Sequence, residues 1–83
     1  MINEKSTLNE LFNRAVDTLS EVEPGEVFIV KELFRGFEWK RIPIGNRTKL
    51  GAMVFAYANS DEGSLLIEPL DKTEKKQQRY KKL

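Results

Sequence analysis

Basic and aromatic side chains lie next to each other at two points of this chain of 83 residues. Trp39 directly precedes Lys40 and Arg41, and Tyr80 directly follows Arg79. Lysine and arginine neutralise phosphates, and bases of any sequence stack on aromatic rings, so this interleaving is typical of single-strand binding. The cations predicted to contact phosphates are Arg35, Lys40, Arg41, Arg47, Lys49, Lys72, Lys75, Lys76 and Arg79, and the rings predicted to be available for stacking are Trp39, Phe55 and Tyr80.

The distribution of charge supports this interpretation more than the total does. The formal charge of +1 is the sum of unequal segments: residues 1–24 hold two basic against five acidic residues, 25–60 hold six against three, 61–71 hold none against four, and 72–83 hold six against one. A basic face with acids elsewhere is typical of a surface that follows phosphates. A structural alternative stays open, because lysines on an exposed hairpin also deter aggregation and each ring could belong to the core.

The residue types that are absent from the sequence exclude most catalytic chemistry. Without cysteine or histidine there is no disulfide, thiolate metal site, thiol nucleophile or imidazole base. The acidic groups at Glu21, Glu23 and Glu26 and at Asp61-Glu62 have no evident partners that would shift a pKa. We therefore expect a protein that is not an enzyme and that uses no cofactor and no metal.

The N-terminal segment carries acids and no long apolar run, which excludes a signal peptide of the usual kind. No stretch approaches the roughly 18 to 20 apolar residues that a membrane helix needs. We expect a cytoplasmic protein without a membrane partner, folded as one domain over residues 1–83.

The first element that must position these side chains is an amphipathic helix from Thr7 to Leu19. Its apolar residues repeat with helical spacing, and Thr7 with Glu10 has the spacing of a capping box. Pro24-Gly25 predicts a turn, and Val27–Val30 predicts a short buried strand.

A short helix is predicted next, over Lys31–Arg35, because these residues have good helix propensity and Gly36 can end it. The segment from Gly36 to Arg41, which contains Trp39, is predicted to be irregular.

A second amphipathic helix is predicted from Ile44 to Asn59, with Pro43 suited to a first helical position. Gly51 inside this helix costs about 1 kcal/mol relative to alanine. The compensation we predict is the close approach of another backbone at that point.

The last part of the chain has two interpretations. Leu65–Leu70 and Gln77–Leu83 can form the two strands of a hairpin. Alternatively, 73–82 can form a charged helix, since Asp71 and Glu74 have capping spacing. We favour the hairpin because the helix has no apolar stripe with which to dock.

The resulting order is helix, strand, short helix, helix, strand, strand. This is the order of an α+β winged helix-turn-helix, in which the final hairpin, about 64–83, is the wing and the third helix occupies the recognition position.

The segment 25–55 contains a set of glycine, aromatic and apolar residues at fixed spacing: Gly25, Phe28, Val30-Lys31-Glu32-Leu33-Phe34, Gly36 and Trp39, followed by Ile42-Pro43, Gly45, Arg47 and Leu50-Gly51. With these residues the segment resembles a small bacterial domain-of-unknown-function family that includes the single-stranded DNA-binding protein of staphylococcal cassette chromosome elements. The resemblance implies a winged helix-turn-helix that binds single-stranded DNA, serves the replication or transfer of a mobile element, and contains a hydrophobic pocket that includes Trp39.

Two other functions are compatible with the same elements. A double-stranded DNA-binding regulator would place the third helix in the major groove, although Ala52 and Ala56 leave its outer face poor in groups that bond base edges. A protein-interaction module would use the Trp39 pocket to bind a replication or transfer protein.

Overall fold

The computed structural model describes residues 2–83, and its first helix, α1, spans Leu8–Leu19. The predicted capping box is present: the Thr7 hydroxyl accepts a hydrogen bond from the Glu10 backbone, and the Glu10 carboxylate accepts one from the Thr7 backbone. Leu11, Ala15 and Leu19 are buried on one face of the helix. Both the start and the buried face of α1 are therefore confirmed.

The segment after strand β1, Val27–Ile29, differs from the prediction. A 3-10 helix covers Val30–Leu33, the chain is extended at Phe34 and Arg35, and the helix α2 then spans Gly36–Arg41. The predicted helix over Lys31–Arg35 and the irregular segment after it are both wrong. Gly36 begins a helix instead of ending one, because burial of Leu33 and Phe34 in succession overrides the local propensity.

Helix α3 spans Ile44–Ala58, close to its predicted bounds, and Pro43 precedes it as the N-cap. The prediction that another backbone approaches Gly51 is wrong, since a Cβ placed there would meet nothing within 4 Å. The close approach occurs at Gly63 in the following 3-10 helix, where a Cβ would overlap the backbone carbonyl of Tyr57. Gly51 instead borders a cleft between α3, α2 and the end of β1.

The C-terminal part is a hairpin of β2, Ile67–Lys72, and β3, Gln78–Lys82, so the hairpin is confirmed against the helical alternative. The three strands form an antiparallel sheet of order β1-β3-β2, with Phe28, Tyr80 and Pro69 aligned across it. The chain is thus α+β, with three α-helices and a three-stranded sheet among the described residues.

The core lies where α1 and α3 pack on each other and against one face of this sheet. Leu11, Leu50, Ile67 and Tyr80 are almost completely inaccessible to solvent. The end of the sheet is also joined to α1, because the Lys82 ammonium donates to the carbonyl of Leu19 at the end of that helix, at 2.8 Å, and to that of Val22 in the following turn, at 3.2 Å. Residues far apart in the sequence therefore fix the position of the hairpin.

Candidate functional site

A cleft of about 340 Å³ opens where the end of β1, α2, the first half of α3 and the turn before β3 meet. We call it the Trp39 cleft. Its apolar wall includes Ile29, Val30 and Trp39, and Gly51 leaves space on the α3 side. Its size falls near the lower end of the range of about 300 to 1,000 Å³ that is usual for small-molecule sites.

The charge of the cleft is entirely positive. Lys31 and Lys76 are exposed at its border, Arg47 is half-buried, and none of the described residues that line it is acidic. Three cations converging without a counter-charge favour an anionic ligand. Of these three, Lys31 was not among the predicted site residues.

Trp39 and Arg47 pack together on one wall of the cleft. The Arg47 guanidinium carbon lies 5.3 Å from the centroid of the indole, a cation–π distance. Arg47 also caps α2, because its Nε donates to the carbonyl of Ile42 at 2.9 Å and its Nη2 to that of Trp39 at 3.1 Å. The indole also packs against the ring of Phe34, with centroids 5.7 Å apart. Trp39 is therefore partly buried against the core and held in a fixed orientation.

Tyr80 contradicts the prediction that its ring is available for stacking on a base. The side chain is 0% exposed and stacks on Phe28 with ring centroids 5.9 Å apart, because the strand alternation places it on the core face of β3. It nevertheless borders the Trp39 cleft from within the core. Burial raises the pKa of its phenol to about 12, so the hydroxyl stays protonated at physiological pH.

Other predicted cations lie elsewhere. Arg41 donates from Nη1 to the carbonyl of Ile2 at 3.0 Å and lies over the Phe37 ring, so it fixes the N-terminal segment on α2. Arg35 borders a separate polar cleft beside Glu38. Neither side chain lines the Trp39 cleft.

Arg79 lies on the opposite face of the sheet from Tyr80. It pairs with Ile29 and borders a second cavity there, and its Nε donates to the carbonyl of Asp71 at 2.9 Å. Phe55 is 46% exposed on the outer side of α3. Of the twelve predicted residues, the cleft brings together Trp39, Arg47, Lys76 and Tyr80. Besides Arg35 and Arg41, the exposed predicted residues that it does not include are Lys40, Lys49, Phe55, Lys72 and Lys75.

Sequence reasoning missed several polar residues of the cleft, namely Lys31, Thr48, Gln77 and Gln78. Gln78 is oriented by its side-chain amide, which donates to the carbonyls of Leu70 and Arg79. No local signal identifies these residues, because the fold brings them together from segments that are distant in the chain.

A buried ion pair was missed as well. Glu38 is only 1% exposed, and its Oε2 accepts from Arg14 at 2.8 Å and from the Ile2 backbone at 3.1 Å. Burial alone would raise the pKa of Glu38, but these hydrogen bonds and the Arg14 charge outweigh it and lower the pKa below 4.5. Since both carboxylate bonds are to the protein itself, we assign this pair to the stability of the fold.

Residues 2–83 contain no group of three or more acidic, cysteine or histidine side chains placed to bind a metal ion. None of the helices over the same residues combines the length and the apolar character needed to span a membrane.

Similarity to known proteins is found at the level of a family. No curated protein and no solved structure matches the chain significantly. The sequence model of one family matches residues 13–82, which is most of the chain and extends well beyond the segment 25–55. The chain therefore belongs to the family described as Domain of unknown function (DUF1413).

Proposed function

We propose that this protein is a winged helix-turn-helix that binds single-stranded DNA without catalysing a reaction and largely without regard to sequence. In the proposed fold, α2 and α3 form the helix-turn-helix and the β2–β3 hairpin is the wing. The order of the elements and the pairing of β1 with β3 support this fold.

The observation that carries the proposed function is the Trp39 cleft, where three cations and an indole converge with no acidic side chain among the described lining residues. The neighbouring β2–β3 hairpin extends the same potential, since residues 67–82 carry six basic side chains against three acidic ones. Phosphates would contact the cations, and a base would contact the apolar wall.

A single strand fits this surface better than a duplex does. The apolar wall of the cleft offers contact to the flat face of a base, which is accessible only when the base is unstacked. Beyond Thr48 and Lys49 near its start, the exposed side of α3 carries Ala52, Phe55 and Ala56, none of which can hydrogen-bond a base edge in the major groove. Sequence-specific duplex recognition by α3 is therefore poorly supported.

The physiological role is proposed from the resemblance of segment 25–55 to the family that includes the single-stranded DNA-binding protein of staphylococcal cassette chromosome elements. On this basis the protein serves the replication or transfer of a mobile element in the cytoplasm. Replication or transfer proteins would then be its further partners.

Fluorescence anisotropy tests the proposal with a labelled oligothymidylate and a labelled duplex, each at two salt concentrations. We expect the single strand to bind more tightly and its affinity to fall steeply with salt, with a slope of about −0.7 per neutralised phosphate. Absence of binding at low salt, or binding to the duplex alone, contradicts the proposal.

A matched pair of charge reversals locates the surface. Lys76→Glu changes a cation of the cleft, and Lys5→Glu makes the same change in the N-terminal segment, away from the cleft. We expect the first to weaken single-strand binding and to flatten its salt dependence, and the second to leave both unchanged. Equal effects of the two substitutions would show that only the net charge matters.

A further inference from the structure

The hydroxyl of Tyr80 is the one side-chain polar atom, among the described residues, that is buried without a hydrogen-bond partner. Buried polar groups in native proteins are nearly always bonded, because leaving one unpaired costs stability. Phe28 and Tyr80 stack without any need for this hydroxyl, so a phenylalanine would suit the core better. The oxygen therefore calls for an explanation outside the folded chain itself.

Its location supplies one. Tyr80 borders the Trp39 cleft from within the core, and its hydroxyl is closed to solvent in the free protein, so a ligand in the cleft would have to displace lining side chains to reach it. The hydroxyl stays protonated at physiological pH and can both donate and accept a hydrogen bond. A polar edge of a ligand would meet it there.

The other polar groups of the cleft suit the same ligand edge. The Thr48 hydroxyl and the exposed Gln77 amide lie at its border. The Gln78 amide nitrogen already donates to two backbone carbonyls, so its Oε1 is presented in a fixed orientation as an acceptor. Both donors and acceptors are thus available, as the hydrogen-bonding edge of a heterocycle requires.

The cations define the other half of the ligand. Lys31 and Lys76 are exposed at the border of the cleft, and the Arg47 Nη1 takes no part in the bonds by which Nε and Nη2 cap α2. An anionic group attached to a planar, polar-edged ring would satisfy the hydroxyl, the amides and the cations together. Nucleotides have this chemistry.

We propose that the Trp39 cleft binds a single nucleotide, whose base lies against the apolar wall with its polar edge bonded to the Tyr80 hydroxyl and whose phosphate contacts Lys31 and Lys76. This inference rests on the proposed single-strand binding and makes it more specific. A nucleotide within a strand and a free mononucleotide share the chemistry, and the experiment separates them.

Trp39 is the only tryptophan of the chain, so its fluorescence reports directly on the cleft. The first measurement compares an oligothymidylate of about 12 nucleotides with an abasic oligomer of the same length. We expect the oligothymidylate to change the emission and to bind about tenfold more tightly than the abasic strand, because stacking and edge bonds require a base. Thymidine monophosphate, added alone, shows whether a free nucleotide suffices.

The second measurement uses Tyr80→Phe, with Tyr57→Phe as its matched control. Tyr57 is the other tyrosine; it packs against Phe12 and does not line the cleft. We expect Tyr80→Phe to weaken oligothymidylate binding about fivefold, the effect of one hydrogen bond, and to leave abasic binding unchanged. The control should alter neither affinity.

The possible outcomes separate the two proposals. If neither strand binds the wild-type protein, single-strand binding itself fails. If both strands bind with equal affinity and leave the Trp39 emission unchanged, the protein contacts phosphates only and the nucleotide pocket is wrong. In that case the cleft is free for another occupant, such as an apolar peptide segment. If the folded Tyr80→Phe variant binds oligothymidylate with the same affinity as wild type, the proposed role of the hydroxyl is wrong.

Discussion

Two groups of polar residues border α2, and they differ in how many of their polar atoms and charges have a hydrogen-bond or ion-pair partner within the chain. Towards α1, the Glu38 carboxylate accepts bonds from Arg14 and from the Ile2 backbone. Towards the hairpin, the Trp39 cleft gathers three cations with no acid among its described lining, and the Tyr80 hydroxyl has no partner.

This difference indicates which polar groups stabilise the fold and which are available to a ligand. A buried carboxylate with two partners gains its favourable interactions when the chain folds. An unpaired hydroxyl costs stability, and the exposed cations Lys31 and Lys76 contribute nothing to it until a ligand binds, whereas Arg47 also stabilises α2 through its backbone hydrogen bonds. The Glu38–Arg14 pair should therefore govern stability, and the Trp39 cleft should govern binding.

The largest expected effect comes from leaving the buried carboxylate without its partner. Arg14→Met should lower the free energy of unfolding by about 3 kcal/mol, because Glu38 then remains buried with its charge uncompensated. Glu38→Gln should cost less, since Arg14 is 35% exposed and can be hydrated. Urea unfolding of the two variants measures both changes.

Arg35→Met is the matched control for the Arg14 substitution. Arg35 is exposed beside the same carboxylate but forms no ion pair within the described chain, so its replacement should change stability by less than about 0.5 kcal/mol. If Arg14→Met and Arg35→Met cost the same, the ion pair contributes no more than an ordinary surface contact. Oligonucleotide affinity of the folded Arg14 variant should equal that of wild type.

A smaller effect should appear on acidification. The pKa of Glu38 is lowered below 4.5 in the folded protein, so the carboxylate contributes stability that is fully present above pH 4.5 and is lost as the pH falls through the folded-state pKa. The stability difference between wild type and Glu38→Gln should therefore shrink across this acidic window. Urea unfolding at neutral pH and at several values below 4.5 tests this, and a constant difference would contradict it.

The contrast between these regions also explains which parts of the fold could be predicted from the sequence. The bounds of α1 and α3 and the final hairpin follow from local periodicity, a capping box and turn residues, and all three are confirmed. Helix α2 could not be predicted, because it depends on the burial of Phe34 and on the pairing of Glu38 with an arginine of α1. Helix propensity is a local property of each residue, so it contains no information on contacts between residues that are far apart in the sequence.

The candidate site shows the same limit. Trp39, Arg47 and Lys76 could be chosen one by one from residue type, but their convergence depends on how the hairpin turn meets α3. The alternation of residues in β3 does place Tyr80 and Arg79 on opposite faces. Which face is buried depends on the register of Tyr80 with Phe28, and that register is set by the whole sheet.

Removing the unpaired hydroxyl of Tyr80 should raise the free energy of unfolding of the free protein by about 1 kcal/mol. Tyr80→Phe keeps the stacked ring and removes a buried group that has no partner, so the free protein should become more stable. A thermal melt without DNA, compared with that of wild type, measures the gain. A loss of stability would show that the hydroxyl is satisfied within the folded protein, by ordered water for example, and is not reserved for a ligand.

The smallest expected change in stability is at Lys76, where a residue of the cleft also has an unusual backbone. Its φ of 62° is left-handed, a conformation that costs a non-glycine residue about 1 kcal/mol and glycine almost nothing. In Lys76→Gly this relief is offset by the greater flexibility of glycine in the unfolded chain, so stability should change by less than about 0.5 kcal/mol. The lost cation should nevertheless weaken single-strand binding and reduce its salt slope by about 0.7.

Lys75→Gly provides the comparison, because the neighbouring lysine has neither a left-handed backbone nor a place in the cleft. Its replacement should lower stability by about 0.5 to 1 kcal/mol, with no strain to relieve, and should affect binding less. Urea unfolding and anisotropy on the two variants therefore separate a turn that contributes to folding from a charge that contributes to binding. If Lys75→Gly weakens binding as much as Lys76→Gly does, the lysines act through the overall positive electrostatic potential of the hairpin. The position of Lys76 in the cleft then adds nothing to the affinity for the strand.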